Sequence, residues 1–332
     1  MRLLVLGGTR FLGHAVASEA VTRGHEVVCA ARGESGSAPA GTRLVVVDRD
    51  RPDGLAPLLE LDPFDAVVDV ATISHDWVRW ALDALGDRAG HWTFVSSISV
   101  YADPASPPGG VDDPLLPPRQ AHGTVDLLET DPNAYGEIKV ASEGAVRAVF
   151  GDRALIARAG LITGPGDVYD RFGYWPARLS RGGPVVVPDT DQPTQTVDVR
   201  DLASWVVDAG ERGLGGTFDA VGQAAPLREV LADIAQAVGG EAELVPVGPE
   251  RLVELGVNPW TGPRSLPLWL PGNLANMTNR DHGPAAAAGL VHRSLEDAVA
   301  GALDHERILG LDRERQAGLS PAEEAEVLAA LD

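Results

Sequence analysis

Residues 4–13, LVLGGTRFLG, place three glycines and one arginine between an apolar run and a helical pattern. RLLVL at 2–6 predicts a buried strand, GGTRFLG a turn, and HAVASEAVTRG at 14–24 the helix that follows. Glycines let a backbone approach a pyrophosphate, whose charge is stabilised by free N–H groups at a helix N-terminus. The stretch therefore predicts a dinucleotide site, with a tight turn that binds no ligand as the alternative.

The first half of the chain alternates short apolar runs with amphipathic segments. TRLVVVD (42–48), DAVVDVA (65–71) and HWTFVSS (91–97) are apolar runs, and WVRWALDALG (77–86) is a helical pattern between two of them. Continuous apolar strands separated by such segments are typical of a parallel sheet with helices on both faces. We therefore predict an α/β fold with a doubly wound parallel sheet of the Rossmann type.

The composition changes near residue 165, beyond which Pro, Gly and Trp become frequent and predicted strands become short. We predict a dinucleotide-binding domain over 1–165 and mainly a smaller substrate-binding domain of mixed α+β structure over 166–332. Residues 195–213 are predicted to return to the first domain, because they again show a strand followed by a sheet-covering helix.

Charge and composition limit the classes of partner. The chain has 332 residues, 27 Lys and Arg against 48 Asp and Glu, and a net charge of −21, which argues against binding to nucleic acid or anionic membranes. Cys29 is the single cysteine, and no apolar run is long enough for a signal peptide or a membrane span, so a cytoplasmic location is expected. The eight histidines lack metal-ligand spacing, so no metal is expected.

Four further stretches follow the glycine turn in the order found in a known family. They are FVSSISVY (94–101), YGEIK (135–139), RAGLITGPGD (158–167) and QTVDVRDLA (195–203). Together with the spacing of Gly7, Gly8 and Gly13, they resemble the extended short-chain dehydrogenase/reductase family, which includes nucleotide-sugar epimerases and dehydratases. The chain has Ala102 where that family commonly has Gly, and Ala159 where it commonly has Pro. Both differences affect loop geometry rather than chemistry.

Tyr135 and Lys139 are four residues apart, so on a helix they share a face, and the ammonium favours the phenolate form of the tyrosine. Tyr135 is therefore a candidate general acid/base. The resemblance implies that Lys139 also holds the nicotinamide ribose hydroxyls and that Ser97 orients the substrate oxygen. A Tyr-x-x-x-Lys pattern alone is more typical of an ordinary amphipathic helix, but Ser97 ahead of it favours the catalytic interpretation.

The end of the second predicted strand bears on the choice of cofactor. HEVVCAARGES (25–35) ends its apolar run at Arg32, without the acid that NAD-specific sites usually place there for the ribose 2′-hydroxyl. Arg32 and Arg10 suit a 2′-phosphate, so NADP(H) is favoured and NAD(H) is the alternative, while nearby Glu34 leaves open that both arginines are solvated surface residues. Asp48 matches the family position beside the adenine. The predicted cofactor-binding residues are Gly7, Gly8, Thr9, Arg10, Phe11, Leu12, Gly13, Arg32, Asp48 and Lys139.

Aromatic residues interspersed with arginines in GDVYDRFGYWPARLSRGG (166–183) are candidates for a pocket that takes an acidic or ring-bearing small molecule. The predicted substrate residues are Tyr169, Arg171, Tyr174 and Trp175. The alternative is that such aromatic residues belong to the hydrophobic core. For Trp175 the pocket and the core are evenly balanced, and for Trp269 the core is favoured. Thr194 stands where nucleotide-sugar enzymes of the family commonly have a diphosphate-binding arginine, which weakens the case for a nucleotide sugar.

These residues together predict an NADP(H)-dependent oxidoreductase that acts on a small-molecule carbonyl or alcohol, with no nucleic acid or membrane partner and with a homodimer left open. One alternative is an epimerase or dehydratase that oxidises its substrate transiently and retains its cofactor. The alternative of another class is a non-catalytic nucleotide- or RNA-binding protein, because relatives with a similar GGTRFLG opening include RNA-associated chloroplast proteins. The alanine-rich, arginine-over-lysine composition is compatible with a role in specialised metabolism.

Overall fold

A computed structural model of the chain describes residues 1–71 and 73–331. The strands are β1 (Arg2–Leu6), β2 (Glu26–Ala31), β3 (Arg43–Val46), β4 (Phe64–Asp69), β5 (Ala89–Ser97), β6 (Ala154–Ala159), β7 (Leu161–Thr163), β8 (Gly183–Pro188), β9 (Pro193–Thr194), β10 (Thr196–Asp198), β11 (Gly216–Ala220), β12 (Ala225–Pro226), β13 (Ala242–Val247), β14 (Asn258–Pro259), β15 (Gly262–Pro263), β16 (Ser265–Leu266) and β17 (Ala317–Gly318). The helices are α1 (Phe11–Thr22), α2 (Ala56–Leu59), α3 (His75–Leu85), α4 (Val125–Thr130), α5 (Ala134–Phe150), α6 (Arg171–Leu179), α7 (Val199–Arg212), α8 (Leu227–Val238), α9 (Pro249–Glu254), α10 (Gly283–Ala287), α11 (Leu295–Leu309) and α12 (Pro321–Ala329).

Seven strands form one sheet in the order β11-β6-β5-β4-β1-β2-β3, and every neighbouring pair is parallel. The strand order reverses at β1, which pairs with β2 on one side and with β4 on the other. The carboxyl ends of β1 and β4 therefore flank a crevice of the kind in which open α/β sheets bind ligands. The predicted doubly wound α/β fold is confirmed.

The apolar run of β1 is buried on both faces of the sheet. Leu3 and Val5 belong to a core that also contains residues of α1 and α7, while Leu4 and Leu6 belong to a second core with residues of α3 and α5. Alternate side chains of a strand point to opposite faces, so a strand covered on both sides needs apolar residues at every position. This requirement explains the unbroken RLLVL pattern.

A third core lies in the second half of the chain. It joins α6, α8 and α11 to β8 and β13, and Trp175, Leu231 and Val299 are among its buried residues. Within residues 195–213, α7 packs against α1, β4 and β5, and β11 then pairs with β6 at the edge of the large sheet. The division of the chain into domains at residue 165 stays a prediction.

Candidate active site

A cleft of about 590 Å³ opens at the carboxyl ends of β1, β4, β5 and β6. Side chains from the glycine turn, from α5 and from the segment before α6 contribute to its wall. Of the candidate residues, those that line the cleft are Gly7, Thr9, Arg10, Phe11, Leu12, Gly13, Arg32, Ser97, Tyr135, Lys139, Tyr169 and Arg171. The fold thus brings residues far apart in the sequence to a single cavity.

The glycine turn is built from close backbone contacts. A Cβ on Gly13 would lie 2.1 Å from the carbonyl oxygen of Gly7, and one on Gly8 would lie 2.6 Å from Cys29 Sγ. Gly7 has a φ of 97°, in the region that favours glycine. Gly8 packs against Cys29 rather than lining the cleft.

The N-terminus of α1 faces the cleft beside this turn. Arg10 precedes the helix in an extended conformation, and its side chain caps none of the first N–H groups of α1. Uncapped N–H groups and the helix dipole stabilise an anion. The narrow turn and the uncapped helix together fit the pyrophosphate of a dinucleotide.

Ser97, Tyr135 and Lys139 meet on one wall of the cleft. Ser97 ends β5, where its Oγ donates to Ser99 Oγ at 3.1 Å and accepts from the Ser99 N–H at 3.1 Å. Lys139 Nζ donates to the carbonyl oxygens of Ala71 at 2.5 Å and Val95 at 2.7 Å, and it lies 5.7 Å from the ring centroid of Tyr135. Helix α5 thus presents the tyrosine and the lysine on the same face, as their spacing predicts.

Burial shifts the proton affinity of both α5 residues. It raises the pKa of Tyr135 to about 12, although the Ser97 hydroxyl and the Arg171 guanidinium act in the opposite direction. Burial lowers the pKa of Lys139 to about 8, although the charges of Asp69 and Glu143 oppose that change. The predicted shift of Tyr135 towards the phenolate is therefore not found in the free protein, which at neutral pH carries a protonated Tyr135 and a charged Lys139.

A buried ion pair anchors α5 to the sheet one turn after Lys139. The carboxylate of Glu143 accepts hydrogen bonds from Arg158 on β6 at 3.0 and 2.9 Å and from Ser96 on β5 at 2.6 Å. Arg158 lowers the pKa of the Glu143 carboxyl, against the effect of burial. Sequence reasoning missed this pair, although Arg158 begins one of the family-like stretches. Glu143 fixes the register of the helix that carries the tyrosine.

A further part of the cleft wall is polar. Arg49 lines it and donates to both carboxylate oxygens of Asp69, at 2.8 and 3.0 Å. Asp50 also lines it, accepts from Trp77 Nε1 at 2.8 Å, and lies 3.4 Å from a guanidinium nitrogen of Arg32. Sequence reasoning missed Arg49, Asp50 and Trp77.

Asp48 was predicted to lie beside the adenine of the cofactor, but its side chain does not line the cleft. The Asp48 carboxylate accepts from the N–H of Asp50 at 3.1 Å, so it faces its own loop. The acid that lines the cleft is Asp50, and the contact of Asp48 with an adenine stays a prediction.

The four predicted substrate residues separate into two pairs. Tyr169 and Arg171 line the cleft, as does Trp260 from the loop between β14 and β15. Tyr174 and Trp175 do not; both are buried in the third core, where Trp175 Nε1 donates to the carbonyl oxygen of Pro267 at 2.9 Å. The placement of these two in the substrate pocket is corrected, because the apolar face of α6 packs into the core. Trp269 is also buried in the third core, the position that the sequence favoured for it.

In residues 1–71 and 73–331, no three His, Cys, Asp or Glu side chains are grouped so as to hold a metal ion. No helix there is long and apolar enough to cross a membrane.

Relatives with named activities match about half of the chain. 2′-dehydrokanamycin reductase of Streptomyces kanamyceticus is 30% identical over 197 residues, which cover 57% of this chain and 52% of that protein. dTDP-6-deoxy-L-talose 4-dehydrogenase of Kitasatospora kifunensis is 31% identical over 180 residues, which cover 50% of this chain and 54% of that protein. The chain thus spans about half the length of these relatives.

Solved structures match over nearly the whole chain. UDP-glucose 4-epimerase of Thermotoga maritima has a TM-score of 0.68 at 16% identity, covering 93% of this chain and 99% of that one. UDP-glucose 4-epimerase of Thermus thermophilus, solved with NAD, has a TM-score of 0.65 at 22% identity. The match covers 92% of this chain and 99% of that one. At such identities the likeness shows the fold.

The family model of the NAD dependent epimerase/dehydratase family matches residues 3–218. This range runs from β1 to β11 and includes the glycine turn, Ser97, Tyr135 and Lys139. The resemblance predicted from the motifs is confirmed, and the chain belongs to the NAD dependent epimerase/dehydratase family.

Proposed function

We propose that the protein is an NADP(H)-dependent oxidoreductase that transfers hydride between the nicotinamide and a carbonyl or alcohol carbon of a small molecule. The observation that carries the proposal is the convergence of Ser97, Tyr135 and Lys139 on a cleft that also contains the glycine turn and the uncapped start of α1. The names of the reductase and the dehydrogenase among its relatives support the same class of reaction.

Each of the three residues has a distinct role in this proposal. When bound, the cofactor supplies the hydride. Tyr135, which like any tyrosine is protonated at neutral pH and whose pKa burial raises further, donates its proton to the carbonyl oxygen as that oxygen becomes an alcohol. Ser97 donates a hydrogen bond to the same oxygen, and the Lys139 ammonium stabilises the tyrosinate left behind.

Replacing the tyrosine hydroxyl tests the proposal. Tyr135→Phe is expected to abolish NADPH oxidation with a panel of aldehydes and ketones, while NADPH affinity in calorimetry stays within a few fold, because only the transferred proton is lost. Tyr174→Phe is a matched control: it removes a hydroxyl that is also buried, but outside the cleft. Near-normal turnover by Tyr135→Phe would remove that residue from the mechanism.

The NADP(H) preference is proposed from Arg10 and Arg32. Arg10 is exposed at the glycine turn, and its side chain has no hydrogen bond or ion pair with any residue in the described ranges. Arg32 is half exposed and holds only long contacts, 3.4 Å to Asp50 and 3.8 Å to Glu34. Both guanidinium groups are thus free to turn to a 2′-phosphate. Asp50 is the acid that would instead accept from the 2′-hydroxyl of NAD.

Arg32→Ala and Arg10→Ala are each expected to weaken NADPH binding by about tenfold to a hundredfold, because a charge-assisted hydrogen bond to phosphate is lost. NADH affinity should hardly change, and the double variant should lose most of the preference. Calorimetry with both cofactors measures this, and Arg43→Ala, at an exposed arginine outside the cleft, controls for net charge. Tighter binding of NADH by the wild type would contradict the proposed cofactor.

The epimerase alternative retains one specific argument, the fold shared with the UDP-glucose 4-epimerases. An epimerase regenerates its cofactor in every cycle, so it shows no net consumption of added NADPH. Stoichiometric NADPH oxidation with product alcohol formation supports the oxidoreductase, whereas isomerisation of a substrate without net oxidation of the cofactor supports the epimerase.

A further inference from the structure

Arg171, the first residue of α6, is a partly buried arginine without a carboxylate partner. Within the described ranges its side chain makes no hydrogen bond or ion pair, and its Nε is fully buried without a partner. The buried arginines Arg158 and Arg280 each bind carboxylates, and Arg49, which also lines the cleft, binds Asp69. A cation left unpaired at partial burial loses hydration that the protein does not replace.

Aromatic rings hold this guanidinium in the cleft. Its central carbon lies 4.9 Å from the ring centroid of Tyr169 and 5.0 Å from that of Trp260. Trp260 reaches this place from a backbone with a φ of 72°, which is unusual for a bulky residue. Such contacts stabilise the guanidinium through its flat faces. They leave the N–H groups at its edge available to a ligand.

The carboxylate of Asp167 lies near Arg171 without pairing with it. In the loop before α6, its Oδ1 accepts from the Tyr169 N–H at 2.9 Å, its Oδ2 is buried without a hydrogen-bond partner, and it forms no ion pair with Arg171 in the described structure. Burial raises the pKa of the Asp167 carboxyl, and the Arg171 charge only opposes that shift. The Arg171 donors are thus left to the cleft.

Arg171 shares the cleft with the tyrosine of the proposed reaction. Both side chains line it, and the Arg171 charge lowers the pKa of Tyr135. A group bound to Arg171 therefore lies in the same cavity as the oxygen that exchanges its proton with Tyr135.

We propose that Arg171 binds an anionic oxygen group of the substrate, close to the reacting carbonyl, while Tyr169 and Trp260 pack against the flat part of the same molecule. The inference rests on the proposed function only for the identity of the reacting carbonyl. A 2-oxo acid with a ring is the simplest substrate of this class. A phosphate-bearing substrate offers the same chemistry to the arginine.

Three probes distinguish the anion and its source. Benzoylformate carries a carboxylate beside a carbonyl and a ring, its methyl ester lacks the charge, and UDP supplies a diphosphate. Each is titrated by calorimetry into the protein saturated with NADP⁺, in which no hydride is available, and in a parallel series with NAD⁺. The wild type is expected to bind benzoylformate at least about tenfold more tightly than the ester.

Arg171→Gln is expected to lose about tenfold to a hundredfold of that affinity, because a charge-assisted pair is removed. Arg171→Lys keeps the positive charge and should lose less of the affinity for benzoylformate. It also provides the test if the Gln variant does not fold. Arg43→Gln, with the same change of charge at an exposed position outside the cleft, should bind like the wild type.

The outcomes separate this inference from the proposed function. Tyr135→Phe should still bind the anionic probe, so Arg171-dependent binding without turnover supports the anion site even if the oxidoreductase proposal fails. Arg171-dependent binding of UDP in place of benzoylformate identifies the anion as a phosphate. The inference is overturned if the wild type binds neither anion, if Arg171→Gln binds as tightly as the wild type, or if that variant weakens NADP⁺ binding instead.

Discussion

Lys139 is 3% exposed, and its ammonium is bound by two backbone carbonyl groups at the ends of neighbouring strands. Because burial lowers its pKa to about 8, the folded protein holds this proton less tightly than the unfolded chain does. The unfolded chain therefore binds more protons between pH 8 and the ordinary lysine value of 10.5, so the contribution of Lys139 to the free energy of unfolding rises with pH across that window.

Lys139→Met removes this titration. The free energy of unfolding of the wild type, minus that of the variant, is expected to rise by up to ~3 kcal/mol between pH 7 and pH 10, because the cost of the buried charge disappears as the ammonium loses its proton. Urea unfolding of both proteins at several pH values measures the difference. A difference that stays flat or falls with pH would show that Lys139 is not destabilised in its charged form. The variant should also lose turnover and NADPH affinity.

Among the elements, the junction of β1 and α1 has the least room for change. The contact between Gly13 and the carbonyl oxygen of Gly7 leaves no space for even a methyl group. The close approach of helix and turn is what lets the first N–H groups of α1 face the cleft, so stability and cofactor binding depend on the same contact.

Gly13→Ala is expected to lower the melting temperature and to abolish measurable NADPH binding, because the new Cβ would lie 2.1 Å from the Gly7 oxygen and must push α1 away. Gly144→Ala is the matched control. It lies on α5, where a Cβ would meet nothing within 4 Å, so the change should leave binding intact and stabilise the helix by about 0.5–1 kcal/mol. Thermal melts and calorimetry measure both effects, and equal behaviour of the two variants would argue against the turn geometry.

The elements also show what could be predicted from the sequence. The glycine turn, the buried strands and the shared face of Tyr135 and Lys139 depend on residues close in the chain, and these were predicted. The direction in which α6 points its aromatic residues depends on α8 and α11, which lie far away in the sequence, so the sequence alone left Trp175 evenly balanced between the pocket and the core. Pairs such as Glu143 with Arg158 leave no local pattern, because their partners come together only in the folded sheet.

At the scale of the whole molecule, a net charge of −21 surrounds a cleft that contains four arginines, Arg10, Arg32, Arg49 and Arg171. Positive charge is concentrated where a dinucleotide and a small anion are proposed to bind, while the remaining surface repels a polyanion. This distribution argues against the RNA-binding alternative.

In filter binding at low salt, the protein is expected to retain no single- or double-stranded RNA at micromolar concentration, because a polyanion must approach a strongly acidic surface. Low salt is the most permissive condition, since it maximises any electrostatic attraction. Retention that weakens steeply as salt is added would instead indicate a basic RNA-binding surface.

The buried Lys139 has one more consequence, because it is the only lysine in the sequence. Amine-directed chemistry, such as reductive methylation with isotope-labelled formaldehyde, can therefore modify the chain only at this ammonium and at the N-terminus. With a pKa of about 8, its amine is substantially neutral, and so nucleophilic, at a pH where ordinary lysines are protonated. A methyl label on Lys139 would give an NMR signal from the wall of the cleft, and ligands that fill the cleft would protect the amine from the reagent.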